Sequence, residues 1–451
     1  MELENKKVLV IGTGISGIGA ARLLSEVGAL PVIYDENERT AKDEVRKKLP
    51  ENIRAEVLAG NLPESVTKEI VLAVPSPGVP TDTGLVKKLK ERGIPIWGEL
   101  ELGYRYARGR LAAITGTNGK TTTTTLVGQM MKAYYDSVYV VGNIGAPYTE
   151  AALMSGKETV TVAEVSSFQL ETTEDFRPHV SAILNITPDH LNRHHSMENY
   201  VAVKERIAAK QTKEDICVLN YENEYTREFG GRCPAKTVYF SSRRQLEDGL
   251  YLEGDEIYMA QAGAAKKLMD IHEMNLVGLC NVENVMAAIA IAFHMGLPME
   301  KILDTVRQFK AVEHRIEFVA TKNGVDYYND SKGTNPDAAI QGIRAMSKPT
   351  VLIGGGYDKQ SKYDEWIEAF EGKVKCLVLI GQTAEKIEDC ARKHGVENIV
   401  RADSFDEALR ICTQRAESGD AVLLSPACAS WGMFPNYEVR GNLFKDYVNR
   451  L

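Results

Sequence analysis

The sequence predicts an α/β protein organised in three segments around parallel sheets. Short β-branched apolar runs alternate with amphipathic helical stretches over the 451 residues, a pattern typical of strands joined by crossover helices. Two glycine-rich loops, "GTGISG" and "GTNGKTT", each follow a predicted strand and precede a predicted helix. The chain exceeds one ordinary domain in length, and changes of pattern indicate domains 1–98, 99–311 and 312–451.

Composition disfavours several classes of protein. The formal net charge of −8 argues against non-specific binding to nucleic acid. No apolar run reaches the ~18 residues that a membrane span needs. We expect no secretory leader, because "MELENKKVLVIGTG" passes directly into a strand pattern. The seven cysteines are scattered and lack a C-x-x-C pair, so we expect reduced thiols in a cytoplasm, with neither a zinc site nor a disulfide framework.

The first segment opens with a strand, a glycine turn, a helix and a second strand, and "GIPIWGELELGYRYA" is predicted to be its last strand and exit helix. Gly12, Gly14 and Gly17 fit G-x-G-x-x-G, and Asp35 ends the second strand. This pattern is typical of dinucleotide binding, with the acidic residue on a ribose. It supports a nicotinamide-dependent oxidoreductase, a site for the diphosphate of a UDP-sugar, or a turn that only packs a helix on a strand.

The second segment begins with the loop "ITGTNGKTT". Gly116 and Gly119 allow a tight turn with inward N–H groups, and the following helix presents its positive N-terminal end. Lys120 would bind the β- and γ-phosphates, and the Thr121 hydroxyl a Mg²⁺ ion. A full Walker A motif needs a further glycine where this chain has Ile114, so an ordinary strand–turn–helix corner is the alternative.

Later polar residues are further candidates, each with a plainer interpretation. Glu164 lies near the carboxyl end of an apolar strand, where it could hold Mg²⁺ or pair with an arginine. His190 is a candidate metal ligand or phosphate contact, although a lone loop histidine is more commonly just exposed. Lys204 has the periodicity of a surface lysine. Asn281 and Asn284 open a helix, where Asn281 could be the N-cap or both amides could face a base or a phosphate.

The third segment starts near "KAVEHRIEFVATKNGVDYYNDSKGTNP". Two strand-like runs follow, "PTVLIGGG" and "VKCLVLIG", and the segment ends in "DAVLLSPACASWGMFPNYEVRGNLF". Apolar runs separated by helical stretches predict another parallel α/β sheet.

Together these motifs resemble the Mur ligase family, the ATP-dependent amide ligases of peptidoglycan precursor synthesis. The motifs that carry the resemblance occur in this order: "GTNGKTT", "EVSSFQLE", "PDHLNRH", "YVAVKERI", "NVENVMAA", "EHRIE", "NDSKGTNP" and "SPACASWGMFPNYEVRG". The likeness covers essentially the whole chain. It implies a Rossmann-like N-terminal domain, a central P-loop-type ATPase domain with a parallel sheet, and a Rossmann-like C-terminal α/β domain.

The resemblance implies ATP and two Mg²⁺ ions as requirements of the central domain. The implied metal ligands are Thr121, Glu164, His190 and a carbamylated Lys204. The implied catalytic residues are Lys120, Glu164, His190 and Lys204. The carbamate turns a cation into a carboxylate-like anion, which reverses the surface-lysine interpretation. The implied ATP-binding residues are Gly116, Thr117, Asn118, Gly119, Lys120, Thr121, Thr122, Asn281, Asn284, Arg315, Asp330 and Lys332.

The resemblance also implies two further substrates, UDP-MurNAc-L-alanine and D-glutamate. The implied contacts of the UDP-sugar are Gly14, Ile15, Ser16, Asp35, Ser76, Gly78 and Asn143. Those of D-glutamate are Thr334, Lys359, Ser430 and Tyr437, with Lys362 as an alternative to Lys359. Tyr437 stands where some relatives carry phenylalanine, so its hydroxyl has no assigned role.

The implied reaction activates a carboxylate as an acyl phosphate, which the amine of D-glutamate then attacks. We expect a monomer without nucleic-acid or membrane partners, and a hinge near residues 309–313. A folylpolyglutamate synthetase-like ligase is an alternative, but those relatives open directly with the ATP loop. The joint presence of Lys120, Glu164, His190 and Lys204 disfavours a non-catalytic scaffold.

Overall fold

The computed structural model describes residues 2–51 and 53–451 and confirms the α/β class that the sequence predicts. The chain divides into two compact units. One comprises the residues up to Leu268 together with Met286–Thr305, and the other comprises Met269–Val285 and Val306–Leu451. Among the described residues, no helix combines the length and the apolar character that crossing a bilayer requires.

The first unit begins with a parallel sheet surrounded by helices. Its strands are β1 (Lys7–Ile11), β2 (Leu30–Asp35), β3 (Glu56–Ala59) and β4 (Ile70–Pro75), and its helices are α1 (Ile15–Glu26), α2 (Lys42–Lys47), α3 (Glu64–Glu69), α4 (Gly84–Glu91) and α5 (Glu99–Tyr106). The order across the sheet is β3-β2-β1-β4, with every pair parallel. Val8, Leu9 and Val10 are fully buried, as in a strand covered on both faces.

One expected strand of this sheet is reduced to a single bridge. The run "GIPIWG" pairs with β4 only through Ala73 and Ile96. Pro95 has no N–H group to continue the ladder, although its carbonyl oxygen accepts a bond from the Ala73 N–H at 3.0 Å. The exit helix follows as predicted, as α5.

The second sheet is larger and carries the predicted phosphate loop. Its strands are β5 (Arg110–Thr115), β6 (Val138–Gly142), β7 (Val160–Glu164), β8 (Val180–Ile183), β9 (Ile216–Asn220), β10 (Lys236–Ser241), β11 (Gly249–Glu253), β12 (Glu256–Gln261) and β13 (Ala264–Asp270). Their order is β13-β12-β11-β10-β9-β8-β5-β7-β6, parallel from β6 to β11, with β12 antiparallel to β11. The neighbours β8, β5 and β7 therefore end at one edge, where ligands bind in such sheets.

The helices that accompany the second sheet are mostly short. They are α6 (Lys120–Lys132), α7 (Tyr148–Met154), α8 (Ser167–Leu170), α9 (Leu191–His194), α10 (Met197–Glu205), α11 (Glu224–Gly230), α12 (Leu279–His294) and α13 (Met299–Gln308), with 3-10 turns at Arg206–Ala208 and Ile271–Glu273.

The third sheet belongs to the C-terminal unit. Its strands are β14 (Glu317–Lys322), β15 (Val325–Asn329), β16 (Thr350–Gly355), β17 (Val374–Ile380), β18 (Ile399–Arg401) and β19 (Ala421–Leu424); its helices are α14 (Pro336–Arg344), α15 (Asp364–Glu368), α16 (Ala384–Lys393), α17 (Phe405–Arg415) and α18 (Tyr437–Arg450). The order is β14-β15-β19-β16-β17-β18, antiparallel between β14 and β15 and parallel elsewhere.

A buried carboxylate ties α5 to the loop before β8. Glu101 accepts backbone N–H groups from Glu174, Asp175 and Phe176 at 2.9, 2.9 and 3.1 Å. Arg105 donates to the same carboxylate at 2.7 Å, so the buried charge is fully paired. This network fixes the first and second sheets of the unit to each other.

Candidate active site

The phosphate loop occupies the turn between β5 and α6. Gly116 and Gly119 have φ values of +153° and +86°, a conformation that glycine adopts without the strain a side chain would bring. Lys120 is the first residue of the 13-residue helix α6, so its ammonium group stands at the positive end of the helix dipole. Thr121 and Thr122 follow in the first turn and are buried.

Side chains after β8 and on α10 hold this loop. The Asn118 N–H donates to Asn185 Oδ1 at 2.8 Å, and Asn185 Nδ2 donates back to the Asn118 carbonyl oxygen at 3.1 Å. The Thr117 hydroxyl oxygen lies 3.1 Å from the Thr187 carbonyl oxygen and 3.1 Å from the Tyr200 hydroxyl. The loop is therefore ordered in advance, which lowers the entropic cost of closing it around phosphate groups.

Two lysines converge on one backbone oxygen of the loop. Lys120 Nζ donates to the carbonyl oxygens of Gly116 and Thr117, both at 2.9 Å, and Lys204 Nζ donates to the Gly116 oxygen at 2.8 Å. Lys204 is 1% exposed and lies 4.7 Å from the Tyr200 ring centroid. The interpretation of Lys204 as a surface lysine is therefore wrong, because packing turns this face of α10 inward.

The buried position of Lys204 affects its pKa. Burial, and then the positive charge of Lys120, lower the pKa of Lys204 well below its ordinary value. A lowered pKa favours the uncharged amine, the nucleophilic form, more than in an ordinary lysine.

Glu164 ends β7, the neighbour of β5, as the sequence predicts. Asn143 Nδ2 donates to Glu164 Oε1 at 2.7 Å. Glu164 Oε2 is buried and has no hydrogen-bond partner among the described residues. Burying such an oxygen is costly unless a donor or a cation meets it. Mg²⁺ prefers oxygen ligands of this kind, so Glu164 fits a magnesium ligand.

His190 lies on the segment that follows β8. Its side chain is 49% exposed, its Nε2 lies 3.4 Å from Asp189, and its ring packs edge-on against Phe168 at 4.9 Å. In the described part of the chain, neither His190 nor Glu164 belongs to a group of three His, Cys, Asp or Glu ligand atoms within 4.8 Å of one another. A metal ion there would need other ligands, such as a hydroxyl, a modified lysine or phosphate oxygens.

The first sheet presents its own set of predicted residues at its carboxyl edge. Gly14 is the N-cap of α1, and Ile15 after it is 74% exposed. Asp35 ends β2 and accepts the Thr13 hydroxyl at 2.9 Å. Ser76 follows β4, and its hydroxyl oxygen is buried without a hydrogen-bond partner in the described residues. Ser16 is half-buried in the first turn of α1, and Gly78 is exposed in the loop after β4.

In the C-terminal unit, predicted residues gather where β15 and β19 end. Asp330 Oδ2 accepts the Ser425 hydroxyl at 2.7 Å, and its Oδ1 accepts the Ile316 N–H at 3.2 Å. Burial raises the pKa of Asp330 to about 7. Lys332 Nζ lies 5.2 Å from the Tyr437 ring centroid, so the predicted nucleotide and amino-acid contacts adjoin there.

The other predicted amino-acid contacts lie along the same edge. Lys359 is exposed after β16, with its Nζ 5.1 Å from the Trp431 ring centroid. Lys362 is also exposed, so the alternative between these lysines stays open. Ser430 is buried, and the Thr334 N–H is held by the carbonyl oxygen of Lys332 two residues before it.

Asn281 and Asn284 form a buried pair in α12. Asn284 Nδ2 donates to Asn281 Oδ1 at 3.2 Å, and Asn281 Nδ2 donates to the Val277 carbonyl oxygen at 2.8 Å. The helix begins at Leu279, so Asn281 lies within its first turn and is not the N-cap. Arg315, the remaining predicted nucleotide contact, is half-buried before β14.

Comparison with known proteins decides the family. Profiles described as "Mur ligase MurD-like, N-terminal domain", "Mur ligase middle domain" and "Mur ligase, glutamate ligase domain" match residues 6–98, 114–292 and 314–428. The UDP-N-acetylmuramoylalanine--D-glutamate ligase of Lachnospira eligens is 56% identical over 451 residues, 100% of both chains. The chain belongs to the Mur ligase family. The ligase of the same name from Lachnoclostridium phytofermentans is also 56% identical to this Mur ligase, over 100% of this chain and 99% of the other.

Solved structures share the fold of this Mur ligase at low identity. MurC of Thermotoga maritima aligns with a TM-score of 0.60 and 18% identity, over 99% of each chain. MurF of the same organism, solved in complex with ADP, gives a TM-score of 0.60 and 16% identity, over 100% of this chain and 96% of the other. At such identities these likenesses concern the fold alone.

Sequence reasoning missed several residues that shape the site of this Mur ligase. Asn185 and Tyr200 brace the phosphate loop, and the polar run "NITPD" directly after β8 was the signal for the first of them. Arg440 is fully buried in α18 and donates to the Ser331 hydroxyl at 3.0 Å and the Ser331 carbonyl oxygen at 2.7 Å. An arginine in an amphipathic helix gives no sequence signal of burial.

Proposed function

We propose that this Mur ligase joins D-glutamate to UDP-MurNAc-L-alanine at the expense of ATP, in the synthesis of peptidoglycan precursors. The observation that carries the proposal is the convergence of Lys120 and Lys204 on the Gly116 carbonyl oxygen, next to the strand that ends in buried Glu164. A preformed phosphate loop beside a carboxylate suits phosphoryl transfer. The names of the 56% identical relatives support the choice of substrates.

ATP would bind at the phosphate loop. In loops of this type backbone N–H groups and the lysine ammonium face the β- and γ-phosphates. Here the Thr117 and Asn118 N–H groups donate to Asn185, so Lys120 and the backbone of the first turn of α6 would face the phosphates. The residues that would hold Mg²⁺ are Thr121, Glu164 and His190. A bound Mg²⁺ would neutralise phosphate oxygens and so reduce their repulsion of an incoming carboxylate. The unpaired oxygen of Glu164 supports this assignment.

A second Mg²⁺ ion would depend on carbamylation of Lys204. The uncharged amine of a buried lysine adds to carbon dioxide, and loss of a proton leaves a carbamate anion. The burial of Lys204 and its lowered pKa support this modification. Without the modification, the amino groups of Lys120 and Lys204 both contact the Gly116 carbonyl oxygen. A carbamate on Lys204 would instead form an ion pair with the Lys120 ammonium group.

The chemistry would proceed in two steps. The alanyl carboxylate attacks the γ-phosphorus of ATP, which breaks the bond to ADP and gives an acyl phosphate. The uncharged amine of D-glutamate then adds to the acyl carbon, and phosphate leaves as the amide forms. The amine proton passes to a base, for which His190 and a phosphate oxygen are the candidates. Lys120 offsets the negative charge that gathers in the first step.

The remaining substrate contacts follow the three sheets. We assign the UDP-sugar to Gly14, Ile15, Ser16, Asp35, Ser76, Gly78 and Asn143. We assign D-glutamate to Thr334, Ser430, Tyr437 and either Lys359 or Lys362. Asn281, Asn284, Arg315, Asp330 and Lys332 complete the ATP contacts. The exposure of Ile15 and of both candidate lysines supports their availability to ligands.

We further propose that domains 1–98, 99–311 and 312–451 divide these tasks and that the protein acts as a monomer. Nucleotide substrates and reduced thiols suit the cytoplasm.

Phosphate release tests the proposal. Purified protein with ATP, Mg²⁺ and UDP-MurNAc-L-alanine should release phosphate with D-glutamate and not with L-glutamate, glycine or L-lysine. Lys120→Ala should abolish release, whereas Lys132→Ala, an exposed lysine at the other end of α6, should retain it. Release with another amino acid alone would change the substrate, and no release with any would overturn the ligase assignment.

A further inference from the structure

A second cluster of metal-ligand side chains lies apart from all the residues assigned above. The Asp364 carboxylate, the Cys390 thiol and the His394 imidazole each offer one ligand atom, and these atoms lie within 4.8 Å of one another. Within the described residues, this is the group of three His, Cys, Asp or Glu side chains that meets that distance. All three belong to the C-terminal unit.

The two helices α15 and α16 bring these side chains together. Asp364 is the first residue of α15. Cys390 lies in the last turns of α16, and His394 is its C-cap, four residues later and hence on the same face. His394 Nε2 lies 3.2 Å from Asp364 Oδ1. Two ligands of a tetrahedral zinc ion, each about 2.1 Å from the metal, stand about 3.4 Å apart, so this pair already has a suitable spacing.

A fourth side chain stands on the far side of the imidazole. Glu368 Oε1 lies 3.9 Å from His394 Nδ1, the nitrogen that does not face Asp364. This distance is too long for a hydrogen bond, and a side-chain rotation of Glu368 would be needed to bring the two atoms together. In metal sites a carboxylate that accepts the N–H of a ligating histidine fixes the tautomer that leaves the other nitrogen free to bind.

The donor set selects the kind of metal. One sulfur, one imidazole nitrogen and one carboxylate oxygen suit Zn²⁺ and its relatives, whereas Mg²⁺ strongly prefers oxygen ligands and does not favour a thiolate. Asp364 and His394 have side-chain exposures of 61% and 27%, so a water molecule can reach the fourth position of a tetrahedron.

We propose that Asp364, Cys390 and His394 form a surface site for one Zn²⁺-class divalent cation, with Glu368 orienting His394. The proposal departs from the expectation of no zinc site, which rests on the spacing between cysteines alone. The site joins the start of α15 to the end of α16. Because Asp364 directly follows the segment that carries Lys359 and Lys362, a bound metal would restrain the end of that segment.

Cobalt spectroscopy tests the site on the full-length, reduced protein. Co²⁺ is titrated in the presence of saturating Mg²⁺, so that oxygen-rich sites are already filled. A near-ultraviolet thiolate-to-cobalt band should grow to one equivalent and disappear on addition of Zn²⁺. The residues assigned to the ligase reaction contain no sulfur, so this band reports the new site and is independent of the proposed function.

Variants separate a built site from a lone reactive thiol. Cys390→Ala should remove the band, His394→Gln and Asp364→Asn should each weaken Co²⁺ binding strongly, and Glu368→Gln should weaken it about tenfold. Cys233→Ala, a partly buried cysteine elsewhere, should leave the band unchanged. No band in the unmodified protein would overturn the proposal. So would a band that survives Cys390→Ala, or one that is unaffected by both His394→Gln and Asp364→Asn.

Discussion

Lys120 and Lys204 donate to the same acceptor, the carbonyl oxygen of Gly116, at 2.9 and 2.8 Å. Burial first, and then the positive charge of Lys120, lowers the pKa of Lys204, because two charged amino groups this close would repel each other. A modification that gave Lys204 a negative charge would turn this repulsion into attraction.

Carbamylation of Lys204 is the first prediction. Protein incubated with ¹³C-labelled bicarbonate should show a carbamate carbon resonance that Lys204→Arg removes. Lys210→Arg, an exposed neighbour in sequence, should retain it. Loss of a metal ligand should lower kcat by about 100-fold or more in Lys204→Arg. A labelled resonance that persists in Lys204→Arg would contradict the assignment.

Glu164→Gln should raise the Mg²⁺ concentration that gives half-maximal activity. The glutamine oxygen can still accept the hydrogen bond from Asn143, but the amide offers no negative charge to the metal. The measurement is phosphate release as a function of Mg²⁺ at saturating substrates. Glu158→Gln, an exposed residue just before the same strand, serves as the control and should behave as the unmodified protein. An unchanged Mg²⁺ dependence in Glu164→Gln would argue against a metal at Oε2.

Asp330 should make the stability of the C-terminal unit depend on pH. Its pKa of about 7 in the folded chain exceeds that of an unfolded aspartate, so between these values the folded chain holds a proton that the unfolded chain has released. Its contribution is complete below about pH 4 and is lost as the pH rises through about 7, by up to about 1.4 kcal/mol per pH unit.

The check compares unfolding of the unmodified protein and Asp330→Asn by urea between pH 5 and pH 8, followed by tryptophan fluorescence, to which buried Trp366 of the same unit contributes. The difference in unfolding free energy between the two proteins should change with pH in favour of the variant as pH rises. A constant difference would mean that Asp330 titrates normally.

Arg440 should be important for stability because its buried guanidinium satisfies buried oxygens. It bonds both oxygens of Ser331 and lies 3.4 Å from the Cys428 carbonyl oxygen. Arg440→Met would leave these groups unpaired and should lower the unfolding free energy by about 3 kcal/mol. Arg450→Met, an exposed arginine on the same helix, should change it by less than about 0.5 kcal/mol. Equal effects of the two substitutions in urea unfolding would refute this role.

Residues at the carboxyl ends of strands are the ones whose positions the sequence predicts best. Asp35 and Glu164 end strands as predicted, and Lys120 opens a helix, because apolar runs that stop at a polar residue mark the carboxyl edge of a parallel sheet. The pattern cannot show which face of a weakly amphipathic helix is covered, so it placed Lys204 at the surface, whereas tertiary packing buries it.

Contacts between elements distant in sequence were also beyond prediction. The cluster of Asp364, Cys390 and His394 forms only when α15 and α16 pack side by side. The sequence itself shows only the four-residue spacing between Cys390 and His394. The bond between Asn143 and Glu164 likewise depends on the pairing of β6 with β7. "GIPIWG" forms only a single bridge instead of the predicted strand, because Pro95 lacks the N–H group that a longer ladder needs.

The bare side chain of Ile15 at the start of α1 has a thermodynamic consequence. A nucleotide-sugar that covers it removes apolar surface from water, and such removal lowers the heat capacity of the system. The binding enthalpy of that ligand should therefore become more negative as the temperature rises. Titration calorimetry at two temperatures should show a weaker temperature dependence of the binding enthalpy for Ile15→Ser.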